Sequence, residues 1–190
     1  MYIYIGKKVR VSAVLPVLVW LFVRTAGAGT AAAALIAVAL HETAHIAAGR
    51  ILGLKIDAAA LTACGADISY RGAVPYAADI GTALSGPAVG IISGALLYRL
   101  YPSFSVVSVI YGIINLLPVY GFDGGRAFSA AVHCAAGYET ADRICGAVHA
   151  VFLLLLYPVA VFFLFYTSYN ASYLLLAAYV FVSSYVRKNA

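Results

Sequence analysis

The 190 residues are 64% hydrophobic and 10% charged, against about 45–50% apolar and about 25% charged in an ordinary soluble domain. Such a chain cannot hide its apolar surface in a water-soluble globule and must be solvated by lipid; at about 20 residues per spanning helix there is room for roughly six spans and short loops, with no soluble module. The net charge of +5 sits on residues that flank separate spans, with no basic stripe or reading motif, which argues against nucleic acid as a partner.

In chain order, MYIYIGKKVR sets an apolar cluster before the basic one. This is the reverse of a secretory signal, and no small-residue cleavage site follows. The first apolar stretch, near 11 to 27, is therefore expected to persist as an anchor. Further stretches near 30 to 50, 78 to 98, 103 to 120, 147 to 166 and 171 to 187 bring the spans to six. Leu54 to Tyr76 differs: it mixes Lys55, Asp57, Asp67 and Arg71 with Ile56, Leu61, Ile68 and Tyr70 and holds Gly65 and Gly72. Short strands, a hairpin or a re-entrant loop are expected there. A second polar break, Gly121 to Asp142, separates the fourth and fifth spans. The expected fold is an all-α polytopic membrane protein of about six transmembrane helices with a short re-entrant β segment, forming one membrane-embedded domain over 1–190. Cys64, Cys134 and Cys145 have neither CxxC spacing nor an even count and read as small apolar residues.

Basic residues are retained on the cytoplasmic side of spans. With the N-terminus inside, Lys7, Lys8, Arg10, Arg50, Lys55, Arg71, Arg126, Arg143, Arg187 and Lys188 all fall inside, and only Arg24 and Arg99 of the 12 basic residues fall outside. Both termini are then cytoplasmic, as an even number of spans requires. Tyrosines, 15 in all, gather toward span ends as an interfacial belt.

The second span carries His41-Glu42-Thr43-Ala44-His45 within an unbroken apolar pattern. Histidines at i and i+4 share a helix face, so both imidazoles can reach one zinc ion, while Glu42 lies about 100° round the helix and can address a metal-bound water. Three ionisable residues in five positions are costly inside a membrane and mark a functional site. Catalytic zinc takes three protein ligands and leaves a fourth position to water, so HExxH is one ligand short. Asp57, Asp67, Asp79, Asp123, Glu139, Asp142, His133 and His149 are the candidates. Asp123 stands out because the fourth span delivers it to the same end of the bilayer as the second span delivers His41 and His45. Asp123-Gly124 also reads as a turn or helix cap, and both readings can hold together. His133 and His149 read as interfacial or core histidines.

HETAH together with Asn115-Leu116-Leu117-Pro118-Val119-Tyr120-Gly121-Phe122-Asp123-Gly124 resembles the site-2 protease family, whose signatures are HExxH and NxxPxxxxDG. The resemblance covers roughly 30 to 130, which would be the catalytic core, and looks most like the bacterial sporulation-factor-processing branch. It implies that His41, His45 and Asp123 bind one zinc ion per chain and that Glu42 is the general base. It also implies that Asn115 helps position the substrate or a ligand. Pro118 would break the fourth helix and let Asp123 turn inward. Ser85-Gly86-Pro87 looks like the family's small-residue stretch for close helix approach. Unlike the better-known members of that branch, the chain ends at Ala190 directly after its last span, so no nucleotide-sensing domain is expected.

Zinc-assisted hydrolysis of membrane-spanning or membrane-associated protein substrates is thus the expected activity, with the lipid bilayer as partner and a membrane regulator or a second copy as further partner classes. The site would face the cytoplasmic side. A helical substrate must unwind to expose a carbonyl, and the edge of a strand within Leu54 to Tyr76 could pair with it by strand addition. Two rivals compete. A zinc transporter would spread its ligands over several depths of the bilayer and has no use for Glu42; a non-catalytic client-binding membrane protein would have no need of intact HExxH and DG motifs.

Overall fold

The computed structural model describes residues 2–5, 9–12, 27–62 and 65–166, with isolated positions at 16, 20, 23 and 24. Its elements are β1 (Tyr2–Ile5), β2 (Val9–Ser12), α1 (Ala28–Ile51), β3 (Ile56–Thr62), β4 (Gly65–Tyr70), α2 (Tyr76–Leu97), α3 (Pro102–Asn115), α4 (Asp123–Ala136) and α5 (Tyr138–Tyr166). The expected sixth span, 171 to 187, lies outside the described residues. So does most of the first, although Val11 and Ser12 belong to β2. Two compact units emerge, Met1–Asn115 and Leu116–Ala190.

In the first unit the strands form one sheet in the order β1-β2-β3-β4. Of the forms expected for the segment after α1 (short strands, a hairpin or a re-entrant loop), it takes the hairpin: β3 and β4 are antiparallel, with Ile56 opposite Tyr70 and Thr62 opposite Gly65, and an irregularity between Ile56 and Ala58. The rest of the sheet exceeds the short β segment expected. β1 and β2 pair antiparallel, Tyr2 opposite Ser12, and β2 runs parallel to β3, Val11 opposite Leu61. The runs Tyr2-Ile3-Tyr4-Ile5 and Val9-Arg10-Val11-Ser12, rich in β-branched and aromatic residues about a central glycine, carry this strand signal; basic residues at Lys7, Lys8 and Arg10 disguise it as a membrane flank. Parallel pairing needs a long crossover, and the chain from 13 to 55, containing α1, provides it.

Helix α1 stops cleanly. Gly53 adopts φ 77°, its N–H bonds the Arg50 carbonyl at 3.1 Å, and the Leu54 N–H returns to the Gly49 carbonyl at 2.8 Å. A left-handed glycine closing the last turn in this way satisfies carbonyls that would otherwise lose their partners. Gly49 also lets β4 approach: a Cβ there would stand 2.8 Å from the Tyr70 hydroxyl.

Helices α1, α2 and α3 pack through small residues. The positions buried on α2 are Ala78, Thr82, Ala83, Gly86, Pro87, Gly90 and Gly94; those on α3 are Phe104, Ser105, Ser108, Gly112 and Asn115. The Ser108 hydroxyl donates to the Gly90 carbonyl at 2.9 Å, and a Cβ on Gly94 would come within 2.9 Å of the Ser105 carbonyl. Large aliphatics face outward: Ile36 is 60% exposed, Leu96 77% and Ile113 54%. Small and polar groups inside with large apolar groups outside is the arrangement of helices solvated by lipid, where hydrophobicity does not drive helix against helix and close backbone approach must. Among the described residues, α1 and α2 are long and apolar enough to cross a membrane, and α3 is apolar but shorter. That last helix ends at Asn115, shortly before Pro118, which has no N–H to continue the helical ladder and disfavours helical geometry at Leu117.

In the second unit, the polar break expected between two spans is itself helical. It forms α4 and the first turn of α5, with Gly137 at φ 74° between them. Gly124 and Gly125 hide this helix from a propensity reading, since glycine costs about 1 kcal/mol per residue in a helix interior. Packing explains them: a Cβ on Gly124 would overlap the Leu116 carbonyl, and one on Gly125 the Val119 carbonyl.

Gly112→Val tests the close packing. Its Cβ would meet Pro87 O at 3.0 Å and Ile91 Cγ1 at 2.8 Å, so the substitution is expected to destabilise the detergent-solubilised protein by about 1–3 kcal/mol. Thermal unfolding read by intrinsic fluorescence should show a lowered Tm, whereas Gly29→Ala, with nothing within 4 Å of its new Cβ, should leave Tm within a degree or so of wild type.

Candidate metal centre

His41, Glu42 and His45 lie on the buried face of α1, at 1%, 9% and 6% exposure. The two imidazole rings meet edge to face, centroids 4.8 Å apart at 78°. A buried imidazole needs a partner for each nitrogen, and α2 provides one for His45, whose Nδ1 stands 2.7 Å from the Thr82 carbonyl. A carbonyl only accepts, so Nδ1 carries the proton and Nε2 presents its lone pair, the tautomer a metal ligand requires. Pro87 has no N–H to give Ala83 and so interrupts the helical ladder of α2 next to this contact. Beside that interruption the Thr82 carbonyl accepts from His45 and, at 2.6 Å, from the Ser85 hydroxyl. Ser85 Oγ is also 3.4 Å from His45 Nδ1.

His41 is held from the other side, its ring edge-on to Tyr111 of α3 at 4.8 Å between centroids. Gly86 defines where the remaining nitrogens point. A Cβ there would lie 2.7 Å from His41 Nε2 and would overlap His45 Nε2. Both Nε2 atoms therefore face a backbone position of α2 that carries no side chain, leaving a cradle that a methyl group would fill.

Asp123 stands in the first turn of α4. Gly121 at φ 101° turns the chain into that helix, and Gly124 and Gly125 close it against the Leu116–Val119 turn. The ligand atoms of His41, His45 and Asp123 lie within 4.8 Å of one another, a group that can hold a metal ion. Two neutral imidazoles and one carboxylate suit zinc and leave a coordination position for water.

The other expected residues have different surroundings. Asn115, buried at the end of α3, donates from Nδ2 to the Tyr111 carbonyl at 2.9 Å. His133 joins α4 to α5, its Nδ1 2.7 Å from the Ser129 carbonyl and its Nε2 3.2 Å from Asp142 Oδ1. His149 on α5 accepts from the Tyr120 backbone N–H at 3.3 Å. Residues the sequence does not single out include Thr82, which acts through its main chain and so leaves no side-chain signature, and Tyr111. Ser85-Gly86-Pro87 is the one signal that marks this stretch of α2.

No protein-family profile matches the chain. A curated zinc metalloprotease of Methanocaldococcus jannaschii is 26% identical over 122 residues, covering 57% of this chain. The match spans only 36% of that protein's length. The solved structure of a site-2 protease from Methanocaldococcus jannaschii shares the fold, with a TM-score of 0.68 at 19% identity over 97% of this chain and 93% of that one. These likenesses agree with the resemblance carried by HETAH and NLLPVYGFDG and do not bear on the sporulation-factor-processing branch.

Gly86→Ala separates the cradle from its neighbours. The added methyl group occupies the space in front of both Nε2 atoms, so the purified variant should retain under about a tenth of wild-type zinc, on the scale at which altered ligand surroundings lower metal affinity 10–100-fold. Gly90→Ala is the control, since its Cβ finds 3.4 Å to the nearest atom; elemental analysis should show its zinc close to wild type.

Proposed function

We propose that the chain is an intramembrane zinc metalloprotease in which His41, His45 and Asp123 hold one zinc ion and Glu42 is the general base. The observation that carries this reading is that His41, His45 and Asp123 each offer a ligand atom within 4.8 Å of the others, with the tautomer of His45 fixed by Thr82. The likeness to a curated metalloprotease supports it, and the fold shared with a site-2 protease agrees with it. A zinc ion held by His41, His45 and Asp123 would supply Lewis acidity for the scissile carbonyl and would lower the pKa of a water toward about 7.

The chain's own groups do the rest. Glu42, next to His41 and about 100° round the helix, takes the proton from the attacking water and returns it to the leaving amine. Thr82 holds the His45 ring in place by accepting from Nδ1, and the buried helix face limits access of bulk water. Asn115, anchored to the Tyr111 carbonyl, offers its remaining amide groups to an unwound substrate backbone. Strand β4 forms one edge of the sheet, and its last residue, Tyr70, packs on Gly49 one helical turn beyond His45. A substrate strand added to that edge would run alongside the α1 site. The substrates are membrane-spanning or membrane-associated proteins, with a membrane regulator or a second copy as further partner.

The same reading takes the two units as one metalloprotease domain over 1–190, with six spans, both termini cytoplasmic and the site toward the cytoplasmic side. The outward-facing aliphatics of α1, α2 and α3 and the distribution of Lys and Arg support it.

Glu42→Gln distinguishes catalysis from transport or client binding. The variant should keep its zinc while cleavage of a reconstituted membrane substrate falls by about 10²–10⁴, the usual worth of a general base; Asp123→Ala should lose both. Full proteolysis by Glu42→Gln, or full zinc retention by Asp123→Ala, would contradict these assignments.

A further inference from the structure

The connection that delivers Asp123 is gripped from two sides within the second unit. On one side is the first turn of α4: Gly124 and Gly125 lie against the carbonyls of Leu116 and Val119 so closely that a Cβ at either would overlap them. On the other side is His149 of α5. Its Nδ1 accepts the Tyr120 backbone N–H at 3.3 Å, and its ring lies against the Tyr120 ring, centroids 4.6 Å apart at 50°. Within this turn the Val119 N–H bonds the Leu117 carbonyl at 2.8 Å and the Phe122 N–H bonds the Val119 carbonyl at 3.1 Å. The Tyr120 N–H points to α5 instead. A side chain one helix away therefore completes the hydrogen bonding of the turn.

We infer that His149 is a positioning residue for the metal centre, acting through Tyr120 on Asp123 and not as a ligand itself. The bond has a definite chemical requirement. Backbone N–H is a donor, so Nδ1 of His149 must be unprotonated and the ring's proton sits on Nε2. Tyr120 is three residues before Asp123, and the two lie on either side of Gly121, whose φ of 101° makes the sharp bend into α4. Losing the acceptor leaves a main-chain N–H without its partner at that bend and lets the bend relax, displacing the carboxylate at the start of α4. Ring packing and hydrogen bonding are separable here, because the ring face meets Tyr120 while only Nδ1 accepts.

This inference rests on the zinc reading given above, and the test distinguishes the two. Zinc affinity of the detergent-purified full chain would be measured by competition with a chromophoric chelator for wild type, His149→Phe and His149→Asn, and the cobalt-substituted proteins compared by their visible d–d spectra. Phenylalanine keeps the ring and removes the acceptor; asparagine removes the ring and keeps an amide oxygen near the position of Nδ1. His149→Phe should bind zinc about 10-fold or more weakly, the usual loss when a group supporting a ligand is removed, with altered cobalt bands. His149→Asn should recover most of the affinity and the wild-type spectrum. Equal affinity in wild type and His149→Phe overturns the positioning role, as does an equal loss in both variants, which would assign the effect to packing alone. Absence of zinc binding by wild type overturns the zinc reading and this inference with it.

Discussion

Room for two imidazoles is the constraint on which the first unit is arranged. His41 and His45 project from one face of an apolar helix into a layer already occupied by α2 and α3, and a side chain on α2 opposite them would expel them. Gly86 removes that obstacle. The Thr82 carbonyl of α2 accepts a hydrogen bond from Nδ1 of His45. That bond matters because leaving a buried imidazole N–H unmatched would cost about 1–3 kcal/mol.

The packing around the site follows from the same need. Helices that must approach closely cannot use large side chains at the contact, and α2 answers with glycines at 86, 90 and 94 while α3 answers with Ser105, Ser108 and Gly112. The second unit solves its own version of the problem with Gly124 and Gly125, which bring the start of α4 against the turn before it. Glycine is a poor helix former, so its presence in the first turn of α4 marks close backbone packing and not a weak helix. In both units, residues without side chains fix the position of residues that carry the chemistry.

Much of this was legible in the sequence where a side chain does the work. His41 and His45 announce their shared face through helical spacing, Glu42 stands out as a carboxylate beside them on an apolar helix, and Asp123 is marked by the NxxPxxxxDG run it closes. The β3–β4 hairpin is legible from alternation and its glycines. What was not legible depends on contacts between distant segments. The pairing of β2 with β3 spans the whole of α1, and the strand character of Tyr2–Ile5 is masked by the lysines that follow. Helix α4 is hidden because Asp123, Gly124, Gly125 and Arg126 look like a loop until the Leu116–Val119 turn is brought against them. Thr82 acts through a carbonyl that every residue possesses. His149 reads as an ordinary core histidine, and only its contact with the Tyr120 main chain shows what it holds.

Zinc K-edge X-ray absorption on the detergent-purified wild-type chain addresses the metal centre most directly. A first shell of nitrogen and oxygen atoms at about 2.0–2.1 Å, with the multiple-scattering signature of two imidazoles and no sulfur, is the expected spectrum for His41, His45, Asp123 and one water. A sulfur contribution at about 2.3 Å, a single imidazole, or the absence of zinc from the folded protein would contradict it.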